Sequence, residues 1–385
     1  MTLAARAHDD VPGTIMEVAD LMRDAMRTGE PMRICGGGTW HSCGAPVTAT
    51  RTLSLRALSG IVGYVPGDLT LTALAGTSLA ELAHVTAAHG QWLGIDPAGS
   101  RHGTIGATIA TASAGPLSHA FGTPRDLVLG VEAVTGYGER VAPGGRVVKN
   151  VAGFDLVRLY TGSWGTLGPI MSVSLRLRAL PVHDVTFALT VDGPGHLGTL
   201  TSALRASTVS LLACEWLDGR SARSFGAGDG NDVVLVRLGG NDAFIRGQQA
   251  RLEAVAQCTP CDPAVWGRLA TLDDDAHSVV RFSGAIASLP QRIERLRDAA
   301  GAAAASVSMH ATIARGVVRV IVHEGGGDVR DSLTGSSFGE QRIAERLPVD
   351  WWRTEHDPFE TGLAGRIRAA FDPARLCNRR RSFDA

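Results

Sequence analysis

The 385-residue sequence has only three tyrosines, six cysteines and no surplus of either charge. Lys and Arg total 37 against 38 Asp and Glu, a formal net charge of -1. That balance excludes a general nucleic-acid surface but leaves room for a local basic pocket. No run of about 18 apolar residues occurs, so no segment reads as a direct membrane span. The opening residues, MTLAARAHDDVPG, lack the apolar centre of a secretion signal. A cytoplasmic protein is expected, peripheral to the inner membrane only through partners. Cys35, Cys43, Cys214, Cys258, Cys261 and Cys377 are too scattered for a disulfide framework. Cys258-Thr-Pro-Cys261 is a lone CxxC without a second pair at matching spacing, so neither a zinc nor an iron–sulfur site is expected. Pro260 reads as marking a turn there.

Glycine is abundant, with 47 residues. Clustered glycine marks backbone that turns tightly or lets a ligand come close. Four clusters follow in order. The first is Arg33-Ile-Cys-Gly36-Gly37-Gly38-Thr39-Trp40, a short buried strand (32–35) running into a loop whose successive N–H groups suit a phosphate. It is not a Walker loop, because no Gly-Lys-Ser/Thr follows, and it is not GxGxxG entering a helix. The second is Asp96-Pro97 with Gly103-Thr104-Ile105-Gly106-Ala107-Thr108, continuing to Thr111 and Gly115. Small residues over 97–115 read either as backbone lying against a ligand or as a helix-packing segment. The third is Gly122-Thr-Pro-Arg125-Asp126. The fourth is Lys149-Asn150-Val-Ala-Gly153-Phe-Asp155, then Gly162-Ser163-Trp-Gly165-Thr166-Leu-Gly168-Pro-Ile170.

Around these clusters, periodicity predicts a helix over 14–28 and strands at 52–55, 61–66, 69–75, 91–95, 127–135 and 170–177. Ser78-Leu-Ala-Glu81 is a capping box opening a helix that ends near Gly90. After Pro181 strands at 183–191 and 232–238 alternate with helices near 194–206, 242–256 and 288–304. Residues 366–385 are a basic tail.

The four clusters together resemble the PCMH-type FAD-binding domain of the vanillyl-alcohol-oxidase superfamily. Within it, Gly144-Gly145-Arg-Val-Val-Lys149-Asn150 through Ile170 is similar to the FAD-binding subunit of bacterial glycolate oxidase, and Phe371-Asp372-Pro373 through Asn378 resembles that family's carboxy-terminal segment. Asn378 is followed by Arg379 where the family has Pro-Gly. The resemblance implies an α+β fold. An FAD domain would span 1–180, in subdomains of about 1–57 and 58–180. A cap, substrate or partner-binding domain would span 181–365, and a tail, 366–385, would return to the FAD domain. It implies that the named residues of the four clusters hold the cofactor. It also implies non-covalent FAD, because Thr39 stands where covalently flavinylated relatives carry His, with His41 two residues on. A catalytic flavoprotein subunit and an iron–sulfur subunit are the implied partners, and a small hydroxy acid the substrate of the complex.

Oxidising such an acid needs cations for its carboxylate and a base for its hydroxyl. Gly228-Asp-Gly-Asn231 resembles the relatives' metal motif but lacks the following His, so it reads as a turn. His323 and Glu324 are adjacent on a strand and point to opposite faces, which leaves no shared metal. Lys149 is the candidate cation for the flavin ring. Arg281, His310 and Arg315 are weaker candidates for a substrate pocket; ordinary strand charges and a core-edge histidine account for them at least as well. Three functions stay open: an electron-carrying FAD subunit of a glycolate-oxidase-like complex, a stand-alone dehydrogenase of a small hydroxy acid or alcohol, and a non-catalytic assembly module.

Overall fold

The computed structural model describes residues 8–40, 42–145, 155–302, 306–324, 341–354 and 362–380. The first helix, Ile15–Thr28, begins where the Thr14 hydroxyl accepts the Glu17 N–H and ends at Gly29, whose φ of 72° is left-handed. Its buried stripe of Val18, Ala19, Met22 and Ala25 keeps helical spacing. Strands β1 (His8–Asp10), β3 (Arg51–Ser54) and β2 (Met32–Cys35) form a parallel sheet in the order β1-β3-β2.

A second, antiparallel sheet runs β4 (Ile61–Val65), β5 (Thr70–Leu74), β9 (Ile170–Arg176), β7 (Val128–Val134) and β8 (Arg140–Val141). Strand β6 holds only Gln91–Trp92, shorter than the expected 91–95, and pairs with β10 (Arg178–Ala179). One core joins both larger sheets: Met22, Met32, Leu53, Leu71, Ile105 and Val173 pack together, and Leu376 and Cys377 of the carboxy-terminal segment complete it. The tail is more structured than its charge suggested. The helix Gly362–Phe371 takes up its start, and beyond it the Met32 N–H donates to Leu376 O while the Asn378 N–H donates to Met32 O.

The remaining strands form one eight-stranded sheet in the order β14-β11-β13-β12-β16-β17-β15-β18. They are β11 (His183–Val191), β12 (Ala213–Leu217), β13 (Asp232–Gly240), β14 (Thr259–Cys261), β15 (Ser278–Ser283), β16 (Ser306–Thr312), β17 (Val317–Glu324) and β18 (Gln341–Arg346). Cys258-Thr-Pro-Cys261 therefore leads into an edge strand and not a turn; an edge position spares Pro260 the ladder bond it cannot donate. Both thiols are free and burial raises them, Cys258 to about 11, so neither is a ready thiolate. Residues 228–231 do form a turn, at Gly230 with φ 109°.

Alternation along these strands sorts the sheet's two faces. One carries Phe187, Trp216, Val236, Phe282, Met309 and Val320 and is covered by the helices Pro194–Ala206, Asp242–Glu253 and Leu289–Ala302. The opposite face is apolar toward β12 and β13, where Leu217, Val233 and Leu235 meet Phe225 and Trp266, and again where Val279 and Ile321 meet Ala276. Across its middle it carries Glu215, Thr312, His310, Arg319 and Arg281, side by side in register. The architecture is α+β throughout.

Candidate functional site

A groove runs beneath the three-glycine loop. Its first wall is the end of β2 and the loop from Gly36 to Trp40. A Cβ on Gly36 would lie 2.1 Å from Thr104 Oγ1, so any side chain there closes the groove. The N–H groups of Gly37, Gly38 and Thr39 have no hydrogen-bond partner among the described residues. Three adjacent free amides form a nest for an anion.

The second wall is the helix Ile105–Thr111. Ile105 and Ile109 anchor it in the core. Gly106 lets it lie directly on β5, since a Cβ there would come within 2.5 Å of Ala75 Cβ. Gly106, Ala107, Ala110 and Thr111 then line the groove. The stretch 97–115 thus satisfies both readings of its small residues, one face packing on a strand and the other bounding the groove. The third wall comprises Trp164, Gly165, Thr166, Pro169 and Ile170. Trp164 holds a left-handed φ of 54° and its N–H donates to Ala110 O at 2.8 Å.

The tail closes the groove. The Asn378 carboxamide oxygen accepts the Ile34 N–H at 2.7 Å, and its nitrogen donates to Trp164 O at 2.7 Å. One side chain therefore ties the first wall to the third, although Arg379 replaces the family's Pro-Gly. Asn378 and Arg380 both line the groove.

Past Trp40, Thr111 and Trp164 the groove meets a second cavity. The two indoles stack there with centroids 6.5 Å apart. One side of this cavity is Asp96, Gly115, Arg125 and Gly162; the other is the polar sheet face with Arg281, His310, Thr312, Arg315, Arg319 and Glu345. Arg319 is fully committed, bonding Asp273 Oδ2 and Glu345 Oε2, each at 2.7 Å. Arg281 lies 3.4 Å from the other Glu345 oxygen. Arg315 has no ion pair or hydrogen bond among the described residues. Burial and the neighbouring Arg281 charge pull its guanidinium below its usual range. Its turn is fixed: Gly316, at φ 58°, sits so close to Gly284 O that a Cβ would come within 2.2 Å.

Two acids flank this cationic patch. Asp96 accepts the Leu117 N–H on both oxygens, at 2.9 and 3.1 Å, yet burial raises it to about 7. Glu215, 0% exposed, accepts the Thr312 hydroxyl at 3.0 Å, and burial raises it well above the carboxylate range. Burial, reinforced by Arg319, lowers His310 to about 3.

The sequence candidates thus divide. Arg33, Gly36, Gly37, Gly38, Thr39, Trp40, Thr104, Gly106, Ala107, Thr111, Gly165, Thr166 and Ile170 line the groove. Gly115, Arg125, Gly162, Arg281, His310 and Arg315 line the cavity. Gly103 stands behind the loop, 3.4 Å from Thr39 Oγ1 by its notional Cβ. Others line neither space. Ile105 and Thr108 are buried in support of the helix, Asp126 closes a capping box with Thr123, and the exposed Asp155 caps Leu156–Tyr160. Gly168 is required by Val134 O, 1.9 Å from its notional Cβ, and Ser163 is buried with its hydroxyl unpartnered. Pro97 is outside both linings. Lys149, Asn150 and His41 lie outside the described residues. Sequence reading missed Cys43–Val47, Ala75, Ala110 and Trp164 in the groove, and Thr312, Arg319 and Glu345 in the cavity.

Residues 9–142 match the family described as FAD binding domain. Over that segment the chain is similar to FAD-binding domains. It is 39% identical over 152 residues to glycolate oxidase subunit GlcE of Escherichia coli (strain K12), covering 39% of this chain and 43% of that one. Over 216 residues it is 26% identical to glycolate oxidase subunit GlcD of Bacillus subtilis (strain 168), covering 56% of this chain and 45% of that one. The chain therefore spans less than half the length of either relative. In fold it is similar to 4-ethylphenol oxidase from Gulosibacter chungangensis, with a TM-score of 0.73 at 14% identity over 96% of this chain and 88% of that one.

The groove meets the physical demands of this cofactor. Free amides would face its diphosphate, the unpartnered buried Thr104 hydroxyl is available to a polar chain, and no side chain blocks the glycine wall. The described residues hold no group of three metal-ligating side chains, and no described helix is long and apolar enough to cross a membrane.

Proposed function

We propose that this chain is an FAD-dependent oxidoreductase of small 2-hydroxy acids, serving as the FAD-bearing subunit of a glycolate-oxidase-like complex with a catalytic flavoprotein and an iron–sulfur partner. Bound non-covalently in the groove, FAD supplies a two-electron acceptor. The chain's own residues do the rest. Gly37, Gly38 and Thr39 hold the diphosphate, and Trp40 and Trp164 bound the passage from groove to cavity. Arg315 takes the carboxylate of the acid. The complex is expected in the cytoplasm, reaching the membrane through its partners.

One observation carries the reading: the glycine-lined groove opens directly into a cavity whose Arg315 lacks a partner among the described residues. Arg315 is partly buried, and a carboxylate offers its guanidinium two parallel hydrogen bonds. The same cavity favours a second reading, in which the chain turns over its acid alone.

The decisive experiment isolates the protein from its native cell, identifies co-purifying subunits by mass, and adds glycolate or D-lactate anaerobically. A yellow protein with both partners, bleached by the acid, fits the first reading. Bleaching of the isolated chain fits the second. A colourless protein that takes up no FAD would overturn both.

A further inference from the structure

Oxidising a hydroxyl to a carbonyl releases the O–H proton, and few groups in the cavity can take it. Arg281, Arg315 and Arg319 are already protonated. Glu345 is held by Arg319 and Arg281. Asp96 accepts the Leu117 N–H on both oxygens, which holds its carboxyl against the loop before that residue. His310 is uncharged, and it lines the cavity next to Thr312 on β16.

We propose that His310, Thr312 and Glu215 act as one proton-handling unit, in which His310 Nε2 accepts the hydroxyl proton of an acid held by Arg315, and Glu215 is its positioning residue. This rests on the function proposed above. The O–H bond breaks, the N–H bond forms, and the oxygen keeps its electron pair for the new C=O bond. The C–H bond breaks, and its hydrogen leaves with both bonding electrons to the FAD already named as acceptor.

The geometry assigns Glu215 its role. It sits on β12 opposite Thr312, directly behind the cavity wall. Its Oε2 accepts the Thr312 hydroxyl at 3.0 Å and lies 4.0 Å from His310 Nε2. Glu215 Oε1 and His310 Nδ1 are buried without partners. With Nδ1 sealed, Nε2 is the nitrogen left to a ligand. Once protonated, it finds its acceptor in Glu215 Oε2 after a small movement.

The charges around the imidazole set when this can occur. Arg319 stands directly opposite His310 on β17, with Arg281 beyond it on β15. On the other side Asp96 acts on Glu215 from the FAD domain, and Asp273 partly offsets Arg319. His119, on the helix packed against β12, is itself lowered by burial. Burial, reinforced by Arg319, keeps His310 unprotonated until an acid binds. A bound carboxylate neutralises part of that field, so proton affinity rises when the acid arrives.

The test uses FAD-loaded full-length protein with ring-labelled histidine, and oxalate as an acid that has no C–H bond to oxidise. Oxalate binding is followed by perturbation of the flavin spectrum, and the state of His310 by NMR against pH. We expect no His310 titration between about pH 5 and 8 without oxalate, and a midpoint inside that window with it. Glu215→Gln, which keeps an acceptor oxygen, retains the shift; Glu215→Leu abolishes it. His310→Gln slows flavin bleaching by hydroxy acid roughly 100-fold. An ordinary His310 titration in the free protein would overturn the proposal, as would oxalate binding that leaves His310 unmoved, or bleaching by His310→Gln at the parental rate. If oxalate and hydroxy acids leave the flavin spectrum untouched, the substrate class itself falls. That outcome is distinct from binding without a response at His310.

Discussion

The Arg315 guanidinium lines the cavity with no ion-pair partner among the described residues, and that has a cost. Its backbone is fixed by the turn at Gly316, and Arg281 repels it. Replacing it with Met keeps much of the volume and removes the unpaired charge. Arg315→Met is therefore expected to raise the melting temperature of the acid-free protein while weakening oxalate binding by roughly 30-fold or more, in line with losing one partner of a buried charge pair. Thermal melts with and without oxalate check both signs; equal affinity in the variant removes Arg315 from the site. Asp96 supports a different prediction. Its folded-state value of about 7 stands above the ordinary 3.8. Between these values the unfolded chain has released the proton that the folded chain still holds, so stability falls as pH rises through the window. The loss is on the order of 4 kcal/mol when complete. Asp96→Asn should flatten that decline in chemical-denaturation curves at pH 4 and pH 7, and an unchanged slope would show that Asp96 does not carry it.

At the scale of elements, much of the groove was legible because glycine clusters report backbone geometry directly. Gly36 and Gly106 are glycine because Thr104 and Ala75 stand where a Cβ would go. Gly36→Val is accordingly expected to lower FAD affinity by roughly 100-fold or more through overpacking, read by fluorescence titration of apoprotein, with circular dichroism confirming the fold. Other parts were hidden for physical reasons. Asp126, Gly168 and Ile105 sit inside matching motifs yet serve caps and packing, because a motif conserves its scaffold along with its contacts. Glu215, in the apolar run Ala-Cys-Glu-Trp-Leu, gives no sign in sequence of its partner 97 residues away. Asn378 is the opposite case, recognisable from the tail motif even though its sequel departs from it. Asn378→Ala removes bonds to Ile34 and Trp164 together, at a cost of about 1–3 kcal/mol. The larger share should fall on FAD retention, since the bonds join two walls of the groove; FAD release measured during unfolding tests this.

The whole molecule explains why the cavity could not be read from sequence. It belongs to neither core alone, since Arg125 and Asp96 come from one side and the β15, β16, β17 and β18 face from the other. Sequence periodicity finds strands, but it does not show which strand lies beside which. The order β12-β16-β17-β15 is what sets His310, Arg319 and Arg281 in a row, with Glu215 beside Thr312 in the next row. The two sides also meet at Arg237 on β13. Its guanidinium lies 5.4 Å from the ring of Trp92 on β6 and 5.6 Å from Trp266, and Asp184 pairs with it. Such a stack contributes roughly 0.5–2 kcal/mol, depending on how dry it is. The groove draws most of its wall from the first core and its tail, whereas the cavity requires both sides in place. Arg237→Ala should therefore weaken oxalate binding about tenfold while changing FAD affinity less than about threefold, because loosening the joint removes one wall of the cavity and leaves most of the groove intact. Titrations of both ligands on the same variant decide the matter. Equal losses would mean that groove and cavity form a single cooperative unit, and undiminished oxalate binding would mean that contacts other than Arg237 hold the sheet against the flavin domain.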